Sequence, residues 1–329
     1  MYDLVSIGSV TRDITVVTDR GKIFKTPRDL LASKWLGFEL GEKIKVDEVH
    51  QSMGGVAIGV SLGLQKLGFN SLPFSTLGDD EDARWLTKEI KKRKVKIGGI
   101  AFKKGRATPF SILLVDKKSG ERVIFSQKSS GDLDLSSIFR FKTKFLYVSS
   151  LKGKIKEQTK IILDYLKKNK TGLIVSPSTS QIRDDFIDLK KIMRNAQIIF
   201  LNRNEALEIA SRLGVKVNKS EMLLNLISKL GPETVCLTDG QNGAYVSHSS
   251  KIYYSPIEKV ETVDVTGAGD SFAAGFLGFY LKGESLQDSL RAGILNSASV
   301  VRYLGTTRGL LSKKEIIGKL KKVKVIEKR

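Results

Sequence analysis

The sequence predicts an α/β fold in which a doubly wound, mostly parallel β-sheet is covered by helices on both faces, with a small separate sheet beside it. The first indication is an alternation of short apolar runs with helical periodicities along most of the 329 residues. The second is a β-hairpin pattern that interrupts this alternation. A chain of this length can bury a substantial core, and we expect residues 1–329 to form one domain.

The first predicted elements of the large sheet are two strands with a helix between them. Leu4–Gly8 has the apolar character of a buried strand, and the helix is expected over Gly55–Leu67. The second strand follows at Leu72–Thr76. Asp79 and Asp80 then begin another helix, where the helix dipole favours acidic side chains.

After the hairpin, the alternation resumes with four more apolar segments separated by helical ones. These strands are predicted near Phe145–Val148, Leu173–Val175, Ile198–Leu201 and Val235–Leu237. In doubly wound sheets, binding sites lie beyond the carboxyl ends of the strands. The residues that directly follow each strand are therefore the first candidates for a site.

The small sheet is predicted from segments that do not fit the α/β alternation. The hairpin comprises the apolar run Phe110–Val115 and the strand Glu121–Phe125, joined by a turn that contains Gly120. Its two strands span about 109–126, and strand-like segments near 12–18 and 44–50 are expected to join them. We expect this sheet to act as a lid over the site.

The chain is strongly basic, with 56 Lys and Arg against 35 Asp and Glu and a formal net charge of +21. Basic residues concentrate at Lys88–Lys96 and Lys313–Arg329 without interleaved aromatic side chains, which is typical of solvated faces of surface helices. Nucleic acid is therefore not an expected partner. A basic surface would, however, attract anionic nucleotides.

No segment favours a membrane or an oxidising compartment. The longest strongly apolar stretch, Ser271–Leu281, is shorter than the roughly 20 residues that a membrane-spanning helix needs. The first residues lack a secretory-signal pattern, and the single cysteine, Cys236, lies in a predicted buried strand. His50 and His248 have no partners at zinc-ligand spacing. We therefore expect a cytoplasmic protein without a membrane anchor.

The segment Glu261–Asp270 combines a glycine-rich turn with the start of an apolar helix. The free N–H groups and the positive end of the dipole at such a helix start form an anion site. Gly267 and Gly269 let the backbone approach the anion closely because they have no β-carbon. The turn formed by Gly267, Ala268 and Gly269 is therefore predicted to hold a phosphoryl group.

Asp270 lies at the edge of this turn, where it can accept a hydrogen bond from a hydroxyl group that attacks the phosphorus. Because a helix N-terminus favours the ionised carboxylate, we expect a weak base whose position matters more than its basicity. A dinucleotide-binding fingerprint does not fit, since Phe272 stands where its third glycine or alanine belongs. The chain also contains no Gly-x-x-x-x-Gly-Lys-Ser/Thr loop.

Together with its neighbours, Asp264–Phe272 resembles the C-terminal signature of the PfkB (ribokinase-like) carbohydrate kinases, and further motifs occur in the family's order over nearly the whole chain. The resemblance implies a ribokinase-like fold and transfer of the γ-phosphoryl group of ATP to a hydroxyl of a sugar or sugar derivative, with Mg²⁺. It also implies that the amides of Gly267, Ala268 and Gly269 form an anion hole and that Asp270 activates the acceptor hydroxyl.

Two N-terminal motifs are similar to the substrate-binding residues of this family. The resemblance implies that Asp13 binds substrate hydroxyls, a task that suits a carboxylate because it can accept two hydrogen bonds. It implies that Gly54 and Gly55 let the substrate approach the backbone at a helix start. Gly59 departs from the pattern, since sugar-binding members usually carry an asparagine there. The substrate is then unusual, another residue makes the contact, or specificity is relaxed.

The nucleotide half of the site is implied by residues that follow later strands. Asn202 and Glu205 resemble the family's Asn-x-x-Glu motif, which helps hold Mg²⁺ and phosphates through water; the same pair also fits a helix cap. The resemblance assigns a turn after a strand and one position on a late helix to nucleotide binding: Thr238, Gly240, Gly243 and Asn296.

A monovalent cation such as K⁺ is a further cofactor that the resemblance brings into question. Asp264 and Thr266 match positions that contribute to such a site in many members, with carbonyl groups from a C-terminal loop. The loop Arg302–Thr307 is one residue longer than the family's pattern. The sequence therefore leaves K⁺ dependence open.

Two alternatives to a sugar kinase remain at this point. The first is a nucleoside kinase on the same scaffold. The second is a ligand-binding relative without turnover, suggested by Gly59 and the excess charge, against which the retained Asp270 argues. The apolar alternation of the hairpin also permits a homodimer through the lid strands, involving Ile112, Leu114, Val123 and Phe125.

Overall fold

The computed structural model of the protein describes residues 1–25, 34–127, 133–151 and 153–328. The strands are, in chain order, β1 (Tyr2–Ile7), β2 (Thr11–Thr18), β3 (Lys22–Lys25), β4 (Lys34–Gly37), β5 (Glu48–Gly54), β6 (Ser71–Leu77), β7 (Ile100–Phe102), β8 (Phe110–Asp116), β9 (Arg122–Gln127), β10 (Thr143–Val148), β11 (Gly172–Val175), β12 (Ile198–Asn202), β13 (Thr234–Thr238), β14 (Ala244–His248), β15 (Lys251–Ser255) and β16 (Ile326–Lys328). The α-helices are α1 (Val56–Lys66), α2 (Glu81–Lys92), α3 (Ile155–Asn169), α4 (Thr179–Asp184), α5 (Phe186–Met193), α6 (Arg203–Arg212), α7 (Ser220–Ser228), α8 (Ala268–Tyr280), α9 (Leu286–Val300) and α10 (Lys313–Ile317).

The large sheet has the strand order β16-β15-β14-β13-β12-β11-β10-β1-β6-β7. Its strands from β13 through β7 are parallel to their neighbours, while β14, β15 and β16 form an antiparallel edge. The chain builds outward from β1, first through β6 and then, on the other side, through β10. The predicted doubly wound, mostly parallel α/β fold is confirmed, and its crevice opens where the strand order reverses beside β1.

Helices pack on both faces of this sheet because each strand presents apolar side chains in both directions. One face is covered by α3 to α7, whose core includes Tyr165 and Ile199. The other face is covered by α1, α8 and α9, whose core includes Phe272 and Phe276. The start of α8 is thereby fixed at the carboxyl ends of the strands. Among the described residues, no helix is long and apolar enough to span a lipid bilayer.

The small sheet has the order β5-β2-β8-β9 and stands apart from the large one. Strands β8 and β9 pair antiparallel, which confirms the predicted hairpin, and β8 pairs parallel with β2. The strand predicted at 44–50 is wrong in its bounds, since β5 runs from Glu48 to Gly54. Most of β5 is polar and exposed, and its register comes from pairing with β2, from Val17 opposite Glu48 to Thr11 opposite Gly54.

Arg12, near the start of β2, ties the base of the small sheet to the large body. Its guanidinium group forms an ion pair with Asp82 of α2 and donates a hydrogen bond of 2.7 Å to Oε1 of Gln51. It also lies 5.2 Å from the ring centroid of Trp85, a cation–π distance. The small sheet is therefore attached to α2 as well as through the chain itself.

Candidate active site

Two adjoining cavities lie at the carboxyl ends of the parallel strands, and the small sheet forms part of their wall. The small cavity, of about 310 Å³, contains Asp13 and several hydroxyl side chains; the large cavity, of about 670 Å³, extends past the ends of β12 and β13. Six residues line both cavities: Val56, Arg122, Ser150, Ser178, Gly267 and Asp270. The predicted catalytic carboxylate thus lies at the boundary between the two.

The glycine-rich turn is the N-terminus of α8. Gly267 is its N-cap with a φ of 78°, and a β-carbon there would lie 2.8 Å from Cα of Thr306, so only glycine fits. A β-carbon on Gly269 would have no atom within 4 Å, so the space beside it is open. Within the described part of the chain, the N–H groups of Gly269 and Asp270 have no acceptor. These free donors and the open space fit an anion.

Burial raises the pKa of Asp270 to about 6, the nearby charge of Asp13 adds to this rise, and Arg122 opposes it. The expected weak base therefore has a higher pKa than the helix N-terminus alone would give it, because desolvation outweighs the helix dipole. At neutral pH the group is still mostly ionised, and it binds a proton more readily than an exposed aspartate.

Asp13 lies in the small cavity and is only 4% exposed. Thr11 Oγ1 donates a hydrogen bond of 2.7 Å to its Oδ1. Burial raises the pKa of Asp13 to about 6, against the hydrogen bonds from Thr11 and Ser111, and the charge of Asp264 adds to the rise. Asp13 and Asp270 thus face the same cavity as two carboxylates with raised pKa values.

Gly54 and Gly55 differ in whether a substrate could approach the backbone beside them. A β-carbon on Gly54 would lie 1.7 Å from Oδ2 of Asp13, so the space beside Gly54 is filled by that carboxylate. Gly55 has a φ of 94°, lines the small cavity, and has no room for a β-carbon beside the carbonyl oxygen of Ser9. The prediction that substrate approaches the backbone is therefore corrected for Gly54. The pairing of β2 with β5 places the Asp13 side chain against Gly54, where it occupies that space.

Asn202 and Glu205 form a reciprocal cap at the start of α6. Asn202 Oδ1 accepts a hydrogen bond from the Glu205 N–H, and Glu205 Oε2 accepts one from the Asn202 N–H, both at 2.9 Å. Both side chains also line the large cavity. Burial raises the pKa of Glu205 to about 7, and the charge of Asp270 adds to the rise. Thr238, Gly240 and Gly243, which the resemblance assigns to nucleotide binding, line the same cavity.

Asn296 does not line either cavity, contrary to the prediction for it. It is 1% exposed, its Nδ2 donates to the carbonyl oxygen of Ser271 at 2.7 Å, and its Oδ1 accepts from the N–H of Leu311 at 2.9 Å. The amide therefore joins α9 to α8. On the same helix, Ile294 and Ser297 line the large cavity.

Asp264 and Thr266 brace the turn that precedes α8. Thr266 donates to Asp264 Oδ1 from its N–H at 2.8 Å and from its hydroxyl at 2.5 Å, and Gly305 N–H donates to Oδ2 at 3.1 Å. Both oxygens of this fully buried carboxylate thus have protein donors. In the described ranges, no group of three or more His, Cys, Asp or Glu could hold a metal ion.

Arg122 is the site residue that the sequence analysis missed. It is the first residue of β9, and its side chain lines both cavities. The only local signal is a cation directly after the hairpin turn. Its proximity to Asp264 and Asp270, more than 140 residues further along the chain, comes from the tertiary fold.

Open N–H donors at a helix start, with a carboxylate beside them and a cavity on either side, suit transfer of a phosphoryl group to a hydroxyl. The fold and site thus define a phosphotransferase with an alcohol acceptor. The pfkB family carbohydrate kinase model matches residues 2–313, and the chain belongs to that family. The chain is accordingly a kinase that transfers a phosphoryl group to a hydroxyl acceptor.

Relatives with different acceptors match most of the chain. An ATP-dependent 6-phosphofructokinase of Thermoanaerobacterium thermosaccharolyticum is 26% identical over 281 residues, covering 81% of this chain and 84% of that protein. A nucleoside kinase of Methanocaldococcus jannaschii is 22% identical over 290 residues, covering 87% and 91%. The solved ribokinase structure from Giardia lamblia has a TM-score of 0.80 at 18% identity, covering 97% and 99%, and shows the same fold.

Proposed function

We propose that this kinase transfers the γ-phosphoryl group of ATP to a hydroxyl of a small sugar or sugar derivative, with Asp270 as the base that receives the hydroxyl proton. The observation that carries the proposal is the place of Asp270, which lines both the small and the large cavity at the N-terminus of α8. A hydroxyl bound in the small cavity and a triphosphate bound in the large one would meet beside this carboxylate.

The residues of the site divide the task. The free N–H groups of Gly269 and Asp270, with the dipole of α8, would bind the phosphoryl oxygens. The capped start of α6 and the turn after β13 would hold the rest of the nucleotide. Asp270 orients the acceptor hydroxyl and takes its proton, for which a pKa of about 6 is better suited than that of an exposed carboxyl.

Mg²⁺ fits the large cavity through Glu205 rather than through a dedicated protein cage. Glu205 and Asp270 face that cavity as two carboxylates, and the charge of Asp270 contributes to the raised pKa of Glu205. A divalent cation would relieve this like-charge repulsion, and Mg²⁺ commonly binds through few carboxylates, water and phosphate oxygens. When bound, it would neutralise charge on the phosphates. Glu205 would hold it through water.

A K⁺ ion at Asp264 and Thr266 has weaker support. Both oxygens of Asp264 already accept hydrogen bonds from the chain, so a cation there would depend on carbonyl oxygens of the 302–307 loop. We therefore propose activity without a strict K⁺ requirement, which assays in Na⁺ and K⁺ at equal ionic strength would check.

The small cavity supports a sugar or polyol as the acceptor. Its volume of about 310 Å³ suits a small molecule, and Asp13 can accept two hydroxyl hydrogen bonds. Most of its other polar lining consists of hydroxyl side chains: Ser9, Thr11, Ser111, Ser126, Ser150, Ser178, Ser180, Thr266 and Thr306. Gly59 has no side chain that could contact the substrate, and a β-carbon there would lie 3.3 Å from Asp270 Oδ2. The hydroxyl side chains of the cavity would then make the substrate contact that the family's usual asparagine makes.

A nucleoside is the second candidate acceptor, supported by the nucleoside kinase relative and by the apolar residues Leu113, Ile124 and Leu151 on the wall of the small cavity. A screen with ATP and Mg²⁺ over free sugars, sugar phosphates and nucleosides would separate the candidates. ADP release together with an acceptor mass increased by one phosphoryl group would identify the substrate. Turnover of nucleosides alone would overturn the sugar proposal, and no turnover of any class would favour a ligand-binding protein.

The outer face of the small sheet supports a homodimer. Ile112 and Phe125 lie opposite each other in the β8–β9 pair and are 37% and 58% exposed, and Leu114 and Val123 continue the same face. Apolar patches of this kind mark association sites. Sedimentation of the protein and of its Phe125→Glu variant would test this, with a dimer expected only for the first.

A further inference from the structure

Arg122 lies where the two cavities join, on the edge strand β9 of the small sheet. It begins β9 and pairs with Val115 across the hairpin. Its side chain lines the small cavity with Asp13 and the large cavity with Gly269. Arg122 shares this boundary with Asp270, which also lines both cavities.

The hairpin turn holds Arg122 against the segment that leads to α8. Asp116 Oδ2 accepts hydrogen bonds from Ser119, at 2.9 Å from its N–H and 2.6 Å from its hydroxyl. Gly120 has a φ of 68°, and a β-carbon there would lie 3.3 Å from Cγ2 of Thr262. The hairpin turn therefore packs directly on the residues that precede the glycine-rich turn. The position of Arg122 is thus fixed by the hydrogen bonds within the hairpin turn and by this packing.

The charged groups around Arg122 are carboxylates, and none of them forms a direct ion pair with its guanidinium group. Asp264, Glu121 and Asp270 interact with it electrostatically, while burial lowers its pKa. In the described ranges, its guanidinium group forms no ion pair within 4 Å, and its buried Nε has no hydrogen-bond partner. An arginine remains charged even so, and its fork of N–H groups matches phosphate oxygens.

We propose that Arg122 is a catalytic residue that binds the γ-phosphoryl group during its transfer, a role that rests on the proposed kinase function. The acceptor hydroxyl oxygen forms a bond to the γ-phosphorus while the bond from that phosphorus to the β,γ-bridging oxygen breaks. The hydroxyl proton passes to Asp270, and the bridging oxygen leaves with the bonding electron pair as part of ADP. Arg122 donates hydrogen bonds to the oxygens on which negative charge moves in this step.

The test compares Arg122→Gln and Arg122→Lys with Lys117→Gln, a matched removal of a cation from the same hairpin. Lys117 is exposed, pairs with Asp47 at 3.7 Å and lines neither cavity. With the acceptor found by the screen, Arg122→Gln is expected to lower kcat by about 10²- to 10³-fold while the acceptor KM changes by less than about threefold. Arg122→Lys should recover part of the loss, and Lys117→Gln should behave as wild type.

A second measurement needs no acceptor. ADP with Mg²⁺ and aluminium fluoride mimics the phosphoryl group in transfer, and wild type should bind this mixture about tenfold or more tightly than ADP with Mg²⁺ alone. Arg122→Gln should lose that increment and keep its affinity for ADP. An unchanged increment, or a loss confined to acceptor KM or to thermal stability, would overturn the proposal. If Asp270→Asn kept full turnover, the kinase mechanism would fail instead, so the two failures are distinguishable.

Discussion

The carboxylate of Asp13 fills the space where a β-carbon on Gly54 would lie, 1.7 Å from Asp13 Oδ2. Gly54 ends β5 and Asp13 lies in the neighbouring strand β2, so the pairing of these strands fixes where the Asp13 carboxylate, which we propose binds the substrate, points. The small sheet therefore positions part of the candidate site in addition to forming part of its wall.

Gly54→Ala should displace Asp13 and weaken acceptor binding. The added methyl group cannot coexist with the carboxylate, so we expect a loss of stability of about 1–3 kcal/mol and a rise of about tenfold or more in the acceptor KM. Urea unfolding and steady-state kinetics would measure the two effects. A variant with the wild-type acceptor KM would show that the position of Asp13 does not matter for binding.

Asp13→Asn should stabilise the unliganded protein at neutral pH. The pKa of Asp13 is raised from 3.8 to about 6, so the folded state binds the proton more tightly than the unfolded chain. The buried charge therefore costs stability above pH 6, up to about 3 kcal/mol, and this cost falls as the pH decreases from 6 to 3.8.

Unfolding of wild type and Asp13→Asn at pH 7 and at about pH 4 would test this, because the amide oxygen that replaces the carboxylate can still accept a hydrogen bond from Thr11. The difference in unfolding free energy should favour the variant at pH 7 and shrink towards zero in acid. A difference that is constant with pH would contradict the assigned charge effect.

Gly269→Ala should separate stability from function. A β-carbon here meets no atom within 4 Å, and alanine in a helix is favoured over glycine by roughly 0.5–1 kcal/mol, so the fold should be as stable or slightly more stable. The methyl group would occupy the open space of the anion site, and ATP turnover should fall by about tenfold or more. Thermal unfolding and kcat together measure the two effects. Gly283→Ala is the comparison variant, because Gly283 also has open space beside it but lies far from the site and has a positive φ. Wild-type turnover by the Gly269 variant would exclude a phosphoryl group from this space.

The large sheet and the glycine-rich turn before α8 were predictable because their signals are local. An apolar run such as Val235–Leu237 predicts a strand by itself, and a glycine-rich turn before the apolar helix that contains Asp270 predicts an anion site by itself. The bounds of β5 were not predictable in this way. Its residues from Glu48 to Gln51 are exposed, so their strand conformation depends on pairing with β2.

Other features depended on contacts between distant parts of the chain. Arg122 enters the site only because the hairpin folds onto the segment before α8, and Asn296 lies on the expected helix but on the face that contacts Ser271 and Leu311. The raised pKa of Asp270 likewise comes from burial in the folded protein, which outweighs the local dipole of its helix.

The central claim, that Asp270 is the base in phosphoryl transfer to a hydroxyl, is tested most directly by kcat of Asp270→Asn with the acceptor from the screen. Asparagine keeps the shape of the side chain but cannot take the proton. Asp288→Asn, a change of the same kind at the exposed start of α9, serves as the control. We predict a decrease in kcat of about 10²- to 10⁴-fold for Asp270→Asn with ATP binding retained, whereas a kcat within about threefold of wild type would contradict the claim.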